Sequence, residues 1–300
     1  MPDLIALTDL SEGDIIRILD RADALADAWR QNRMPQTLKD KQVGLWFCGH
    51  GFRNRVAFEI GARAMGASVS YIPGELAVHE PIDDIGHYLD NWFSLLAVRA
   101  QNHDDLLRLS QSANTPVINA RTNFNHPCEI LGDLQFIRKR RGSIDGLRVV
   151  FVGEVTNLCM SWFEAAVRLP ISVTQVAPEG YAADKGLLDK LNAQAAGEVL
   201  VSDTFESLLQ SADLIYTDCW PRTDNPADAQ KIRGLFLPCQ ITGRHLQSLK
   251  EEAMFLPCPP VTRGQEVSYD AMKSPLCLNY EAKDYLLHSQ NAVMEFVLNL

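Results

Sequence analysis

Nine runs of five to seven mostly apolar residues, spaced by stretches of helical periodicity, leave this chain few architectures. The runs are VGLWF, SVSYI, SLLAV and PVINA in the first half, then LRVVFVG, ISVTQVA, GEVLVS, ADLIYTD and AMFLPC. Their length and their β-branched or aromatic content predict buried strands. The intervening segments are long enough for crossover helices, so the pairing should be parallel. Between PVINA and LRVVFVG lies FIRKRRGSIDG, a charge-rich stretch with two glycines that marks a domain boundary. The fold class is therefore α/β, with two domains that are each a mainly parallel sheet flanked by helices. One comprises residues 1–140 completed by a terminal helix over 279–300, and the other residues 141–278. Ser11 and Asp14 form a capping-box-like start to the first helix, DIIRILDRADALADAW.

Composition narrows the functional classes. A 300-residue chain with 46% hydrophobic and 22% charged residues has a soluble globular makeup, and a formal charge of −10 argues against a general nucleic-acid or membrane-surface binder. The seven cysteines are scattered with no C-x-x-C pair, which suggests neither a disulfide framework nor a zinc site. No stretch has the length of a membrane span, and the N-terminal segment lacks the basic flank and apolar run of a signal peptide, so a cytoplasmic location is expected.

In doubly wound sheets, ligands gather at the carboxyl ends of the strands, and the chemically interesting residues come directly after the apolar runs. After VGLWF comes GHGFRNRVAFE, in which Arg53 and Arg55 stand at the start of a helix whose free amides and dipole favour an anion. The bland alternative is a salt bridge from these arginines to Glu59 or another carboxylate. Arg99 ends SLLAV and is followed by His103, while His126 and Glu129 open the helix after PVINA. In the second half, Asp218 closes ADLIYTD and Cys258 lies among prolines after AMFLPC. The Cys258 alternative is a small buried hydrophobe. Sites at strand ends in both halves suggest a cleft between the domains.

This constellation resembles the aspartate/ornithine carbamoyltransferase superfamily along the whole chain. The family's S-T-R-T-R-x-S-F-E loop is matched by Gly51, Phe52, Arg53, Asn54, Arg55, Val56, Ala57, Phe58 and Glu59. Its H-P-x-Q-x-L-x-D-L motif is matched from His126 to Leu134, its R-x-x-x-H spacing by Arg99 and His103, and its H-C-L-P segment from Pro257 to Pro260. The resemblance implies Arg53, Arg99, His126 and Cys258 as catalytic residues. It implies Gly51, Phe52, Asn54, Arg55, His79 and Glu129 for the phosphorylated donor, and Asn157, Asp218 and Arg222 for the acceptor. It also implies a homotrimer, with the loop around His79 completing a neighbour's site, and no metal or cofactor.

The departures fall on ligands. The loop's serine and two threonines become Gly51, Phe52 and Asn54; the glutamine becomes Glu129; and the terminal-helix arginine is replaced by Tyr285. Hydrogen bonds to a charged group are worth roughly 1.5–3 kcal/mol each, so three lost donors remove about 4–9 kcal/mol. Micromolar binding is itself only about 8 kcal/mol. His50 and His79 are candidates to replace what is missing. Glu129 would repel a phosphate unless paired, and a salt bridge to Arg53 or Arg99 would block the site. Arg222, where the ornithine-type loop has a small serine, suggests an anionic group on the acceptor.

Two readings stay open: a divergent enzyme passing a carbamoyl or related group from a phosphorylated donor to an amine, and a catalytically silent homologue that binds a metabolite or assembles with a partner. A dinucleotide-dependent dehydrogenase is rejected, because VVFVGEVTN lacks the second and third glycines of the fingerprint.

Overall fold

The computed structural model describes residues 3–49, 51–76 and 78–300. The chain forms two compact units, Met1–Ser143 with Lys283–Leu300, and Ile144–Ala282. The divisions fall at 143/144 and 282/283, against 140/141 and 278/279 expected.

The first unit runs α1 (Glu12–Arg30), β1 (Gln42–Phe47), α2 (Phe52–Ala64), β2 (Ser68–Ile72), α3 (Ile82–Leu89), β3 (Leu95–Arg99), α4 (His103–Ser112), β4 (Val117–Arg121) and α5 (Pro127–Arg141). Its four strands are parallel in the order β2-β1-β3-β4. The second unit contains β5 (Arg148–Val152), α6 (Asn157–Arg168), β6 (Ser172–Val176), α7 (Lys185–Asn192), β7 (Glu198–Ser202), β8 (Leu214–Thr217), α8 (Pro226–Phe236), α9 (Gly243–Gln247) and β9 (Met254–Pro257). These five strands are parallel in the order β7-β6-β5-β8-β9. The last helix, α10 (Asn279–Val297), returns the chain to the first unit.

All nine apolar runs are strands, but two of them are not buried. In β2 (Ser68–Ile72) and β7 (Glu198–Ser202) most residues are partly or fully exposed. Each lies at one edge of its sheet, where one side of the ladder is open, although the strands at the opposite edges, β4 and β9, are buried. The central strands are continuous apolar cores, as in β1 with only Gln42 exposed. At α1 the expected capping box is present: Ser11 accepts from the Asp14 amide, and the Asp14 carboxylate accepts from the Ser11 amide.

Helix α5, which opens at the His126–Pro127 pair, lies inside the protein along most of its length. Every residue from Pro127 to Ile137 is buried, so this helix has no polar outer face and its polar groups need internal partners. It starts with Pro127 at its first turn, ends on basic residues that complement the helix dipole, and stops at Gly142 in the left-handed conformation. Arg138 reaches Asp20 and Asp23 of α1, at 2.7 Å each. Against its other side lies α10, so close that a Cβ on Gly132 would sit 3.2 Å from the Leu286 Cα. Glu295 of α10 is gripped by Arg21 of α1.

Two glycines in the second unit make opposite predictions. A Cβ on Gly197 would fall 1.9 Å from the Ile171 carbonyl oxygen, whereas one on Gly234, within α8, meets open space. Gly197→Ala is expected to destabilise by at least about 2 kcal/mol. Gly234→Ala should stabilise by about 0.5–1 kcal/mol, through helix propensity. Urea unfolding of both variants checks the opposite signs.

Candidate functional site

In the first unit the candidate residues come after three adjacent strands, β1, β3 and β4. The chain leaves β1 through Gly49, whose φ of 72° suits glycine, and enters α2 behind Gly51. His50, one candidate replacement for the missing hydroxyls, lies outside the described residues. Gly51 has no side chain to cap the helix, so the first-turn amides keep their capacity for an anion.

The absence of a Cβ at Gly51 has a second consequence. The Arg99 side chain, at the end of β3, lies directly on this turn; a Cβ at Gly51 would be 2.7 Å from its Cδ and 2.8 Å from its Cζ. A serine here would force Arg99 away. The chain has therefore exchanged one hydroxyl for the close approach of a guanidinium. Arg53 lies over the Phe52 ring at 4.8 Å, and Arg55 over the Tyr71 ring at 4.9 Å. Phe47, Gly49, Gly51, Phe52, Arg55 and Tyr71 line a cavity of about 350 Å³. Glu59 pairs with Arg63, and among the described residues neither Arg53 nor Arg55 forms an ion pair. The Arg55 Nε is buried and has no hydrogen-bond partner. This set can hold a small anion.

Behind the loop is a buried polar cluster. Asn54 donates through Nδ2 to Glu129 Oε2 at 3.1 Å, and its Oδ1 accepts from Gln290 Nε2 of α10 at 2.7 Å. His126, which precedes α5, places Nε2 3.4 Å from Asn54 Nδ2 and 3.5 Å from Glu129 Oε2. Glu129 Oε1 is 2.7 Å from the Lys283 ammonium, which also lies 2.8 Å from Asp133 Oδ1. The pairing of Glu129 with Arg53 or Arg99 considered from the sequence is thus replaced by one with Lys283. Tyr285, at the expected arginine position, packs edge-on against Phe136 at 5.4 Å between ring centroids.

Charges are set by this geometry. Burial opposes ionisation of Glu129, but the Lys283 ammonium, with the hydrogen bonds from Lys283 and Asn54, outweighs it and holds the carboxyl below its usual range. Burial pushes the His126 imidazole well below its usual value; Glu129 resists, while Arg99, Arg121 and Lys283 act in the same direction as burial. The cluster therefore holds a carboxylate, an ammonium and a neutral imidazole. His103, four residues after Arg99, contacts Thr122 Oγ1 at 3.0 Å and the Phe124 ring, so it braces the loop after β4. His79 is exposed and lines a different cavity, of about 640 Å³, with Trp46, Val78, Tyr88 and Trp92.

The second unit gathers its candidates at the ends of β5, β8 and β9, also adjacent. Asn157 is buried at the start of α6, capped by Thr156. Asp218 comes after β8 and accepts from the Cys219 amide at 2.8 Å. Cys258 comes after β9; it is buried, and its amide donates to Thr217. Burial and then Asp218 raise the pKa of Glu154. Burial raises that of Glu266, with Asp218 adding to the rise and Arg222 opposing it. Burial and then Asp218 likewise drive the Cys219 thiol up to about 12, which leaves it protonated and inert. Arg222 is exposed and lines a cavity of about 410 Å³ with Trp220, Thr223, Asp224, Arg233 and Thr262.

Sequence reasoning missed Lys283, Gln290, Glu154, Glu266 and Arg233. A signal existed for the first two: they are two helical turns apart on one face of α10. The partner of that face could not be read from the pattern.

The buried imidazole predicts acid sensitivity with a definite sign. Below about pH 6.5 the unfolded chain protonates His126 and the folded chain does not, so stability falls as pH falls. Glu129 adds a loss of the same sign at lower pH, since its folded pKa lies below its unfolded value of about 4.5. His126→Gln should flatten the slope of unfolding free energy between about pH 6 and pH 5 by up to about 1.4 kcal/mol per pH unit, measured by urea titration.

Comparison with known proteins bears on this arrangement. Residues 2–139 match the carbamoyl-P binding domain of aspartate/ornithine carbamoyltransferases, and residues 145–297 match their Asp/Orn binding domain. The ornithine carbamoyltransferase of Syntrophus aciditrophicus is 31% identical over 300 residues, covering 99% of both chains. That of Pyrococcus horikoshii is 31% identical over 303 residues, covering 99% of this chain and 95% of its own. The solved ornithine carbamoyltransferase of Pyrococcus furiosus superposes with a TM-score of 0.92 at 29% identity, over 99% of this chain and 97% of that one. The chain belongs to the aspartate/ornithine carbamoyltransferase family.

Proposed function

We propose that this protein transfers a carbamoyl group from carbamoyl phosphate to the amine of an amino-acid-like acceptor carrying an anionic group. A neutral amine attacks the carbamoyl carbon. A carbon–nitrogen bond forms, the carbon–oxygen bond to phosphate breaks, and the amine's proton leaves with phosphate or solvent. Arg53, Arg55 and Arg99 hold the phosphate, and their charge is already in place when the leaving group develops its own. His126 is a neutral imidazole, so it can donate to the carbamoyl oxygen without competing with the arginines for the anion. Asn157, Asp218 and Cys258 orient the amine, and Arg222 takes the acceptor's anionic group. No metal or covalent intermediate is required.

The observation that carries this reading is the position of Arg99 on Gly51. Arg99 lies against this glycine and Arg55 lines the anion-sized cavity that the glycine borders, while Glu129, which would otherwise repel the donor, is paired with Lys283. The exposed apolar side chains Tyr71, Val78, Tyr88 and Trp92 support a homotrimer in which the His79 loop serves a neighbouring copy. All seven cysteines are unpaired, which fits a reducing, cytoplasmic setting. Phe52 supports the second reading, a catalytically silent homologue: it is 62% exposed where the family has a hydroxyl, and its ring engages Arg53.

Phosphate release from carbamoyl phosphate over a panel of amines, with and without carboxylates, separates the two. The enzyme reading expects turnover with at least one carboxylate-bearing amine and a loss of at least about a hundredfold in kcat/KM for Arg53→Ala. A flat panel, with no thermal shift from carbamoyl phosphate, would favour the silent homologue.

A further inference from the structure

Two residues of α10 grip both ends of one amide. Lys283 binds Glu129, whose other oxygen takes Asn54 Nδ2; Gln290, two turns further along, donates to Asn54 Oδ1. Asn54 stands between Arg53 and Arg55 in the first turn of α2, so fixing its side chain fixes the rotation of that turn. Every member of this chain of contacts is buried except Lys283, whose side chain is 15% exposed.

The arrangement works only if the charge of Glu129 is cancelled. An isolated carboxylate beside the arginine loop would repel an anionic donor and compete for its arginines. We propose that Lys283 is a positioning residue of the donor site: its ammonium neutralises Glu129, so that the carboxylate can tie down Asn54 without opposing the donor's phosphate. The second carboxylate that Lys283 meets, Asp133, lies one turn further along α5 from the loop, and it holds the ammonium in place. Glutamine at position 129, the family's choice, would need no such partner. Lys283 is shared between Glu129 and Asp133, and its ammonium offsets the charge of the carboxylate that stands where the family has a neutral glutamine. The inference rests on the proposed carbamoyl-phosphate chemistry.

The test is a charge-compensation series in the full chain: Lys283→Met, Glu129→Gln, the triple variant Lys283→Met/Glu129→Gln/Asp133→Asn, which leaves no buried carboxylate without its cation, and Lys283→Arg. Carbamoyl phosphate and inorganic phosphate binding are measured by calorimetry, with acceptor KM alongside. Lys283→Met should weaken both anions by at least about tenfold and leave acceptor KM within about twofold. The triple variant should recover to within about threefold of the parent, because neutral amides at 129 and 133 need no counter-charge, and Lys283→Arg should retain most of the affinity. A triple variant as weak as Lys283→Met, or a Lys283→Met protein that binds normally, overturns the proposal. If Lys283→Met does not fold, the triple variant decides: folding and binding like Glu129→Gln supports the proposal, and failure to fold overturns it. If the parent protein binds neither anion, the carbamoyl-transfer reading itself fails and this inference falls with it.

Discussion

A carboxylate buried beside an arginine-bearing loop needs a cation of its own, and the ion pair between Glu129 and Lys283 supplies it. Buried ion pairs add little net stability, because desolvation of both charges offsets most of their attraction, so the value of this one lies in what it orders. It joins α5 to α10 and, through Asn54, sets the first turn of α2. It also occupies Glu129, and among the described residues neither Arg53 nor Arg55 forms an ion pair. His126 packs against the same carboxylate, yet burial keeps it neutral. One contact therefore bears on the ionisation of Glu129 and, through Asn54, on the first turn of α2.

The parallel sheets explain why these groups meet at all. In each unit the polar side chains come from the carboxyl ends of neighbouring strands, where the ladder ends and helix amides begin. Three strand ends supply the arginine loop, Arg99 and His126; three others supply Asn157, Asp218 and Cys258. The sheets place backbones reliably, and the choice of side chain at each end sets the chemistry. Gly51 illustrates this. Losing a side chain at that position removes a hydroxyl donor but admits the Arg99 guanidinium to the space it vacates.

Much of this is legible in the sequence, for physical reasons. The nine strands are visible because short runs of β-branched and aromatic residues alternate with segments of helical periodicity long enough for parallel crossovers. The arginine loop and His126 are visible because their motifs combine residue type with position after a strand. Pattern alone overestimates the burial of SVSYI and GEVLVS, since strand order, and hence which strands are edges, is not encoded in any one segment. The partner of Glu129 escapes for a related reason. A lysine on a distant helix carries no local mark of the carboxylate it will meet, whereas Arg53 and Arg99 belong to the recognised motif and draw the expectation to themselves. Missing hydroxyls look like a deficit because sequence does not record the space that a glycine opens.

The central claim is that the loop remains a working anion cradle despite its altered side chains. A crystal structure of the protein soaked with carbamoyl phosphate tests it most directly. The account predicts phosphate oxygens within hydrogen-bond distance of Arg53 and Arg99, with Glu129 still on Lys283. An empty cradle, or Glu129 swung onto either arginine with the anion bound elsewhere, would contradict it.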